Sequence, residues 1–309
     1  MIYLGFDTSN YTTSVAACGD AFVNTRKLLE VNNGQRGHRQ SDALFQHIKE
    51  LPLLFSSLCS SIDTKKVSAV GVSTKPRNVE GSYMPVFLAG TSFAKICAQS
   101  LAVPLYEFSH QDGHIMAGID SCNAYNLMKK PFISVHLSGG TCEILLSEYK
   151  NGKFSSQIIG GTKDISAGQL IDRVGVAMGM GFPAGKELEK KAESSNELLT
   201  LPVNVENSYI NFSGIETKTL SLINEKEHQT IAYSLFVAIA KALCKSLEFC
   251  ALKYGIDDIL TVGGVASNTI IKDYLLKNLN KNIYFSSPEF STDNAYGIAL
   301  LTKLCHEKN

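Results

Sequence analysis

No run of about 18 apolar residues occurs in this 309-residue chain, so no membrane-spanning helix is expected. The opening Met-Ile-Tyr-Leu-Gly-Phe-Asp7 has neither a basic stretch nor a long apolar core, so it does not read as a signal peptide. An excess of either charge is also missing. Lys plus Arg and Asp plus Glu number 29 each, leaving no bulk basic field to hold a long nucleic acid unaided. A chain with this balance that works on RNA must borrow charge from a partner or use a local patch. The eight cysteines form no C-x-x-C pair, a pattern of reduced thiols packed as small hydrophobes in a cytoplasmic protein. What is present is length enough for one large domain or two of about 150 residues.

The order of elements predicts two similar halves. Residues 2–8 read as a buried strand and 12–18 as its hairpin partner, across the polar turn 9–11. A third strand is expected over 21–29, a polar loop over 32–40, and a helix over 41–57 that Pro52 interrupts. Residues 67–73 read as a strand, 83–101 as a helix, and 104–108 as a short strand. The pattern then restarts. Strands are expected at 132–137, 141–147 and 153–159, and a helix at 167–178. A long helix over 228–254 follows, then strand 259–262, helix 269–279, strand 283–286 and a last helix from about Asp293. Two halves that each open with a hairpin imply a duplication with a break near residues 123–130, dividing the chain into 1–122 and 131–309. The class is α/β with mixed sheets, and a nucleotide is expected in a cleft between the halves.

The stretch Phe108-Ser-His-Gln-Asp-Gly-His114 places two imidazoles four residues apart, before helix-compatible sequence. On a helix these positions share a face, so His110 and His114 can reach one divalent ion. Such a pair also arises by chance. Four glycine-rich or polar segments keep it company. Leu137-Ser-Gly-Gly-Thr141 joins two strands through a turn whose backbone can approach an anion, although most such turns are plain hairpins. Val262-Gly-Gly-Val-Ala-Ser-Asn268 runs from a strand into a helix, where free N–H groups favour a phosphate; Asn268 alone reads as an N-cap. Asp172 lies in an apolar helix ahead of Gly179-Met-Gly-Phe-Pro-Ala-Gly185; it suits either a polar cleft or an ion pair with Arg173 or a nearby lysine. Asp293, in Ser291-Thr-Asp-Asn294, reads as a helix cap, and is also the kind of carboxylate that completes a His/His/Asp site.

Taken in order, these segments resemble the tRNA threonylcarbamoyladenosine transferase family of the TsaD type, formerly the glycoprotease family. The resemblance runs through Gly5-Phe-Asp-Thr-Ser9, His110-Gln-Asp-Gly-His114, Leu137-Ser-Gly-Gly-Thr141, Ala167-Gly-Gln-Leu-Ile-Asp-Arg173, Gly181-Phe-Pro-Ala-Gly185, Asn211-Phe-Ser-Gly-Ile-Glu-Thr-Lys218, Gly263-Gly-Val-Ala-Ser-Asn268 and Thr292-Asp-Asn294. It implies a duplicated actin-like ATPase fold of the sugar kinase, Hsp70 and actin class. It implies transfer of a threonylcarbamoyl group from an adenylate to N6 of the adenosine next to the anticodon of tRNA, with protein partners of a threonylcarbamoylation complex. It further implies a metal on His110, His114 and Asp293, iron first, with zinc or magnesium as alternatives. The adenine nucleotide or threonylcarbamoyl-adenylate would lie against His136, Leu137, Ser138, Gly139, Gly140, Asp172, Gly185 and Asn268. No catalytic nucleophile is implied.

The departures are local. The family's first hairpin reads E-T-S-C-D-E-T, whereas this chain has Asp7-Thr-Ser-Asn-Tyr-Thr-Thr13, with Tyr11 and Thr12 in place of an acidic pair. Its S-G-G-H-T becomes Ser138-Gly-Gly-Thr-Cys142, and a P-G-L segment becomes Lys75-Pro-Arg-Asn78. These changes mark a divergent paralogue. Its alternatives are a carbamoyltransferase acting on another acceptor, through the loop 32–42, and a non-catalytic nucleotide- and metal-binding regulator. A metalloprotease fits least of these, because neither histidine sits in an H-E-x-x-H arrangement.

Overall fold

Near-continuous apolar strands must be covered on both faces, and the first sheet is built that way. The computed structural model describes residues 1–9, 11–30 and 39–308. β1 (Ile2–Thr8) is buried throughout and pairs antiparallel with β2 (Thr12–Gly19), which pairs antiparallel with β3 (Val23–Leu28). After α1 (Gln40–Cys59), strand β4 (Val67–Lys75) lies parallel to β1. After α2 (Phe87–Leu101), β5 (Leu105–Ser109) lies parallel to β4 and runs directly into α3 (His110–Ser121). The sheet order is β3-β2-β1-β4-β5.

Strand alternation divides β1 between two partners. Leu4 and Phe6 enter a core with Leu51 and Leu58 of α1 and Ala94 and Ala98 of α2. Tyr3, Gly5 and Asp7 occupy the opposite face, and Gly5 there lies against Ala295 and Ala299.

The second sheet repeats the arrangement with β6 (Phe132–Leu137), β7 (Cys142–Lys150) and β8 (Lys153–Thr162). Helices α4 (Ala167–Ala177) and α5 (Gly185–Ala192) follow, then the short strands β9 (Asn204–Glu206) and β10 (Tyr209–Asn211). Next come α6 (Ser213–Leu222), the 27-residue α7 (His228–Tyr254), β11 (Asp258–Val262), α8 (Thr269–Asn278) and β12 (Asn282–Phe285). The order β12-β11-β6-β7-β8-β10-β9 contains the first sheet's order reversed in direction of reading, with β10-β9 added at the β8 edge. In both sheets the first strand pairs antiparallel with the second, and each first strand has a parallel partner on its other side, β4 for β1 and β11 for β6. A core of Val135, Ile144, Leu170, Leu235 and Ile259 lies between that sheet and its helices. The last helix is α9 (Tyr296–His306).

Two compact units result. The first holds 1–123, 149–155 and 292–309; the second holds 124–148 and 156–291. These compact units are not linear, because α9 and the β7–β8 hairpin tip group with the first.

Several element boundaries differ from expectation. Pro52 does not interrupt α1, which continues over 20 residues. Its ring is exposed, so it meets no packed neighbour at the surface of the helix. The last helix starts at Tyr296 rather than near Asp293. Elements α5, β9, β10 and α6 were not anticipated. Asn10 of the first turn, and 32–38 of the expected polar loop, lie outside the described residues.

Candidate metal centre and nucleotide-type turns

β5 delivers Ser109 as the N-cap of α3. Its hydroxyl accepts from the Asp112 N–H while the Asp112 carboxylate accepts from the Ser109 N–H, a reciprocal capping box. Buried Asp112 also accepts from the Asn78 side-chain amide at 2.7 Å and the Phe154 N–H at 3.0 Å. The first turn of α3 is thereby tied to two other segments of the first unit.

His110 and His114 leave this turn on one face. Their rings are 4.4 Å apart, and their Nε2 atoms are separated by 3.0 Å. Asp293 precedes α9, which packs on α3 and β1. Gly297 of α9 lies against the Gly113 carbonyl, so a Cβ at 297 would collide with backbone. That close approach puts Asp293 Oδ1 3.1 Å from His114 Nε2 and 3.6 Å from His110 Nε2. All three ligand atoms fall within 4.8 Å of one another. Ligands at right angles about an ion with bonds of about 2.1 Å stand about 3.0 Å apart, so the spacing suits one ion held on one side by three donors.

The electrostatics point the same way. Burial works against an imidazolium at His110, but the carboxylates of Asp7 and Asp293 outweigh it and push His110 up to about 10. Burial likewise works against charge on Asp293, and hydrogen bonds from His110 and His114 hold it well below the usual carboxylate range. Two nitrogens and an oxygen converge where positive charge is favoured.

Asp7, Ser9 and Ser73 surround these ligands and were not singled out as site residues from sequence. His110 Nδ1 meets Asp7 Oδ1 at 2.9 Å, the Ser73 hydroxyl donates to the same oxygen, and the Ser9 hydroxyl donates to Asp293 Oδ2 at 2.9 Å. The available signal was a carboxylate in the middle of an apolar strand.

The remaining sequence candidates all lie in the second unit, linked through helix starts. Ser138 closes its turn with Thr141, accepting from the Thr141 N–H at 3.0 Å and donating its own N–H to the Thr141 carbonyl at 2.8 Å. Gly139 and Gly140 are exposed with open space where a Cβ would sit. The Gly139 carbonyl accepts from Ser166, the N-cap of α4, at 2.7 Å. His136 and Leu137, at the end of β6, border Gly263, whose φ of 101° suits glycine.

Asp172 does not pair with Arg173, which instead meets Glu216 at 3.2 Å. Its carboxylate accepts from the Ala184 N–H at 2.8 Å and from the Gly185 N–H, so it caps α5 from a neighbouring helix. Burial raises the Asp172 carboxyl, and these two amides partly counter it. Asn268 accepts from the Ile271 N–H at 2.9 Å as the N-cap of α8. Glu189 of α5 receives the N–H and hydroxyl of the adjacent Thr269. The turn at 138–140 and the starts of α4, α5 and α8 thus form one connected network.

Residues 41–300 match the family described as TsaD: tRNA N6-adenosine threonylcarbamoyltransferase. The chain belongs to the TsaD family. It is 31% identical over 333 residues to the tRNA N6-adenosine threonylcarbamoyltransferase of Riemerella anatipestifer, covering 99% of this chain and 93% of that one. It is 29% identical to the enzyme of the same name from Mycoplasmopsis synoviae, with both chains fully covered. Among solved structures, T. kodakarensis HypF superposes with a TM-score of 0.62 at 16% identity; the alignment covers 99% of this chain and 48% of HypF, so the chain spans about half of that protein. Component A of the Acidaminococcus fermentans (R)-2-hydroxyglutaryl-CoA dehydratase gives 0.56 at 15% identity, covering 100% and 98% of the two chains. A ROK family glucokinase from Streptomyces griseus gives 0.55 at 10%, covering 99% and 100%. At these identities the likeness concerns the fold, which is the mixed α/β fold of the actin-like ATPases. No helix among the described residues of this TsaD-family chain is long and apolar enough to cross a membrane.

Proposed function

We propose that this TsaD-family chain transfers a threonylcarbamoyl group from threonylcarbamoyl-adenylate to N6 of the adenosine next to the anticodon of tRNA. The observation that carries the reading is the convergence of His110, His114 and Asp293 on one point, in a chain 31% identical to a transferase of that name. The donor set fits a metal. Two imidazole nitrogens 3.0 Å apart repel unless a proton or cation lies between them, and a carboxylate completes the set. Nitrogen donors disfavour magnesium, and two histidines with one carboxylate on a single side suit iron, with open positions remaining. Such an ion supplies Lewis-acid charge that stabilises a developing oxyanion.

In the second unit, the turn at 138–140 and the Gly263–Gly264 strand end present backbone without side-chain obstruction, as an adenylate phosphate requires. Asp172 and Gly185 are assigned to the ribose, and Asn268 to the same adenylate. The anhydride already carries a good leaving group in AMP, so the residues need only orient the carbamoyl carbon against the amine. The balanced charge of the chain favours partner proteins of a threonylcarbamoylation complex as helpers in gripping tRNA, in the cytoplasm.

The test mixes preformed threonylcarbamoyl-adenylate, unmodified tRNA and candidate partners with the purified chain, and analyses the digested nucleosides by mass spectrometry. Metal-dependent appearance of threonylcarbamoyladenosine is expected. Nucleotide binding with no transfer to tRNA under any partner combination would sink the reading.

A further inference from the structure

Asp7 is an expensive residue for its place. It is fully buried in β1, and its Oδ2 has no hydrogen-bond partner among the described residues. Burying a carboxylate with one oxygen unsatisfied opposes folding, and an apolar side chain of similar size would avoid that cost. Sheet packing does not call for a carboxylate there, since Tyr3 and Gly5 on the same face already meet α9 and the residues flanking it.

Its contacts are instead directed at His110. A carboxylate has no proton to give, so in the 2.9 Å contact between His110 Nδ1 and Asp7 Oδ1 the ring nitrogen donates. That leaves Nε2 as the nitrogen facing His114 and Asp293. The Ser73 hydroxyl of β4 donates to the same Asp7 oxygen and holds the carboxylate in place. Ser9 performs the matching task for Asp293, occupying Oδ2 and leaving Oδ1 toward the histidines. β1 and the turn after it therefore grip the outward atoms of two of the three ligands.

We propose that Asp7 is a positioning residue of the metal centre: it holds His110 in the Nδ1–H tautomer with Nε2 presented to the ion, and its negative charge joins that of Asp293 in balancing a divalent cation. The proposal rests on the metal reading above.

Zn²⁺ affinity by chelator competition, the visible spectrum of the Co²⁺ form, and melting curves with and without ion are measured on the wild type, Asp7→Asn and Ser73→Ala. Asparagine keeps the shape and removes the charge. In Asp7→Asn, affinity is expected to fall about 10–100-fold, the Co²⁺ spectrum to shift, and the ion-induced rise in Tm to shrink. Ser73→Ala is expected to lose affinity about threefold or more, and it decides the matter should Asp7→Asn not fold. Affinity within about twofold of wild type in every variant that folds, whatever the ion-free Tm, would overturn the role of Asp7 and leave the metal centre standing. A wild-type chain that binds neither Zn²⁺ nor Co²⁺ would instead overturn the metal reading itself, and the proposal with it.

Discussion

At Asp293 a single carboxylate oxygen faces two imidazoles, while its partner oxygen is held by Ser9. Asp293→Asn keeps the size but removes the charge, and it is expected to lower metal affinity by more than the ~10–100-fold typical of an outer hydrogen-bond partner, so that the protein is purified with less metal. Elemental analysis of the purified protein checks this, and metal content equal to wild type would remove Asp293 from the site. Asp172 separates two roles by measurement. As the cap of α5, its replacement by alanine should cost about 0.5–2 kcal/mol in thermal or denaturant unfolding. As a ribose contact, it should also lower the calorimetric affinity for AMP or ATP; stability loss at unchanged affinity leaves only the capping role. The histidine pair was legible because helical spacing is local. Asp293 lies 179 residues from His114; its own surroundings read first as a helix cap, and the family resemblance singled it out as a ligand. Asp7 carried a signal of its own, a charge within an apolar strand, but nothing in the chain says which buried carboxylate will face an imidazole 103 residues away.

The same division between local and distant causes holds for whole elements. Strands buried on both faces and the long helix α7 could be read from apolar pattern alone. Helices α5 and α6 could not, because their caps come from elsewhere: Asp172 serves α5, and Asp164 accepts the N–H groups of Phe212 and Ser213 at the start of α6 from 48 and 49 residues away. At Asp164 burial pushes the carboxyl upward, but those amides and the Thr162 hydroxyl outweigh it and hold it down at about 2. A carboxyl lowered in the folded state adds stability above its ordinary value of 3.8 and loses it as pH falls from there through about 2. Acid unfolding followed by circular dichroism should therefore be less steep in Asp164→Asn than in wild type across that window, after a lower stability at neutral pH. Parallel acid curves would remove Asp164 as a source of the slope. Helix α9 offers a harsher test. A methyl group at Gly297 meets the Gly113 carbonyl and the Ala117 N–H, and backbone cannot rotate away. Gly297→Ala should cost about 1–3 kcal/mol through overpacking. It should also weaken metal binding, because α9 sets the position of Asp293. A variant as stable as wild type with full metal affinity would show that the α3–α9 contact does not position the site.

Over the whole molecule, the repeated sheet order is that of the actin-like ATPase fold, while the first hairpin departs from the pattern that the family resemblance implies. Tyr11 is exposed, and Thr12 is buried as the first residue of β2. They stand where the family resemblance places two acids, and neither hydroxyl side chain can supply a carboxylate's charge to an ion–nucleotide complex. On the proposed reading the metal is held by His110, His114 and Asp293 and the nucleotide by the glycine turns, none of which includes those two positions, so the steps should separate. Transfer from preformed threonylcarbamoyl-adenylate is expected to proceed in the wild type, whereas partner-coupled ATP turnover is expected to be weak. Installing Tyr11→Asp together with Thr12→Glu should then raise ATP turnover by at least about tenfold, roughly 1.4 kcal/mol in the barrier, while changing the transfer rate by less than about threefold. Both rates can be followed in one reaction, phosphate release or AMP formation reporting turnover and modified nucleoside reporting transfer. If the double substitution raises both rates together, the first hairpin acts on the transfer step itself. If it raises neither, the two hydroxyl residues are a neutral replacement, and the divergence of this chain has to be sought at the Lys75–Asn78 segment or the Thr141–Cys142 turn.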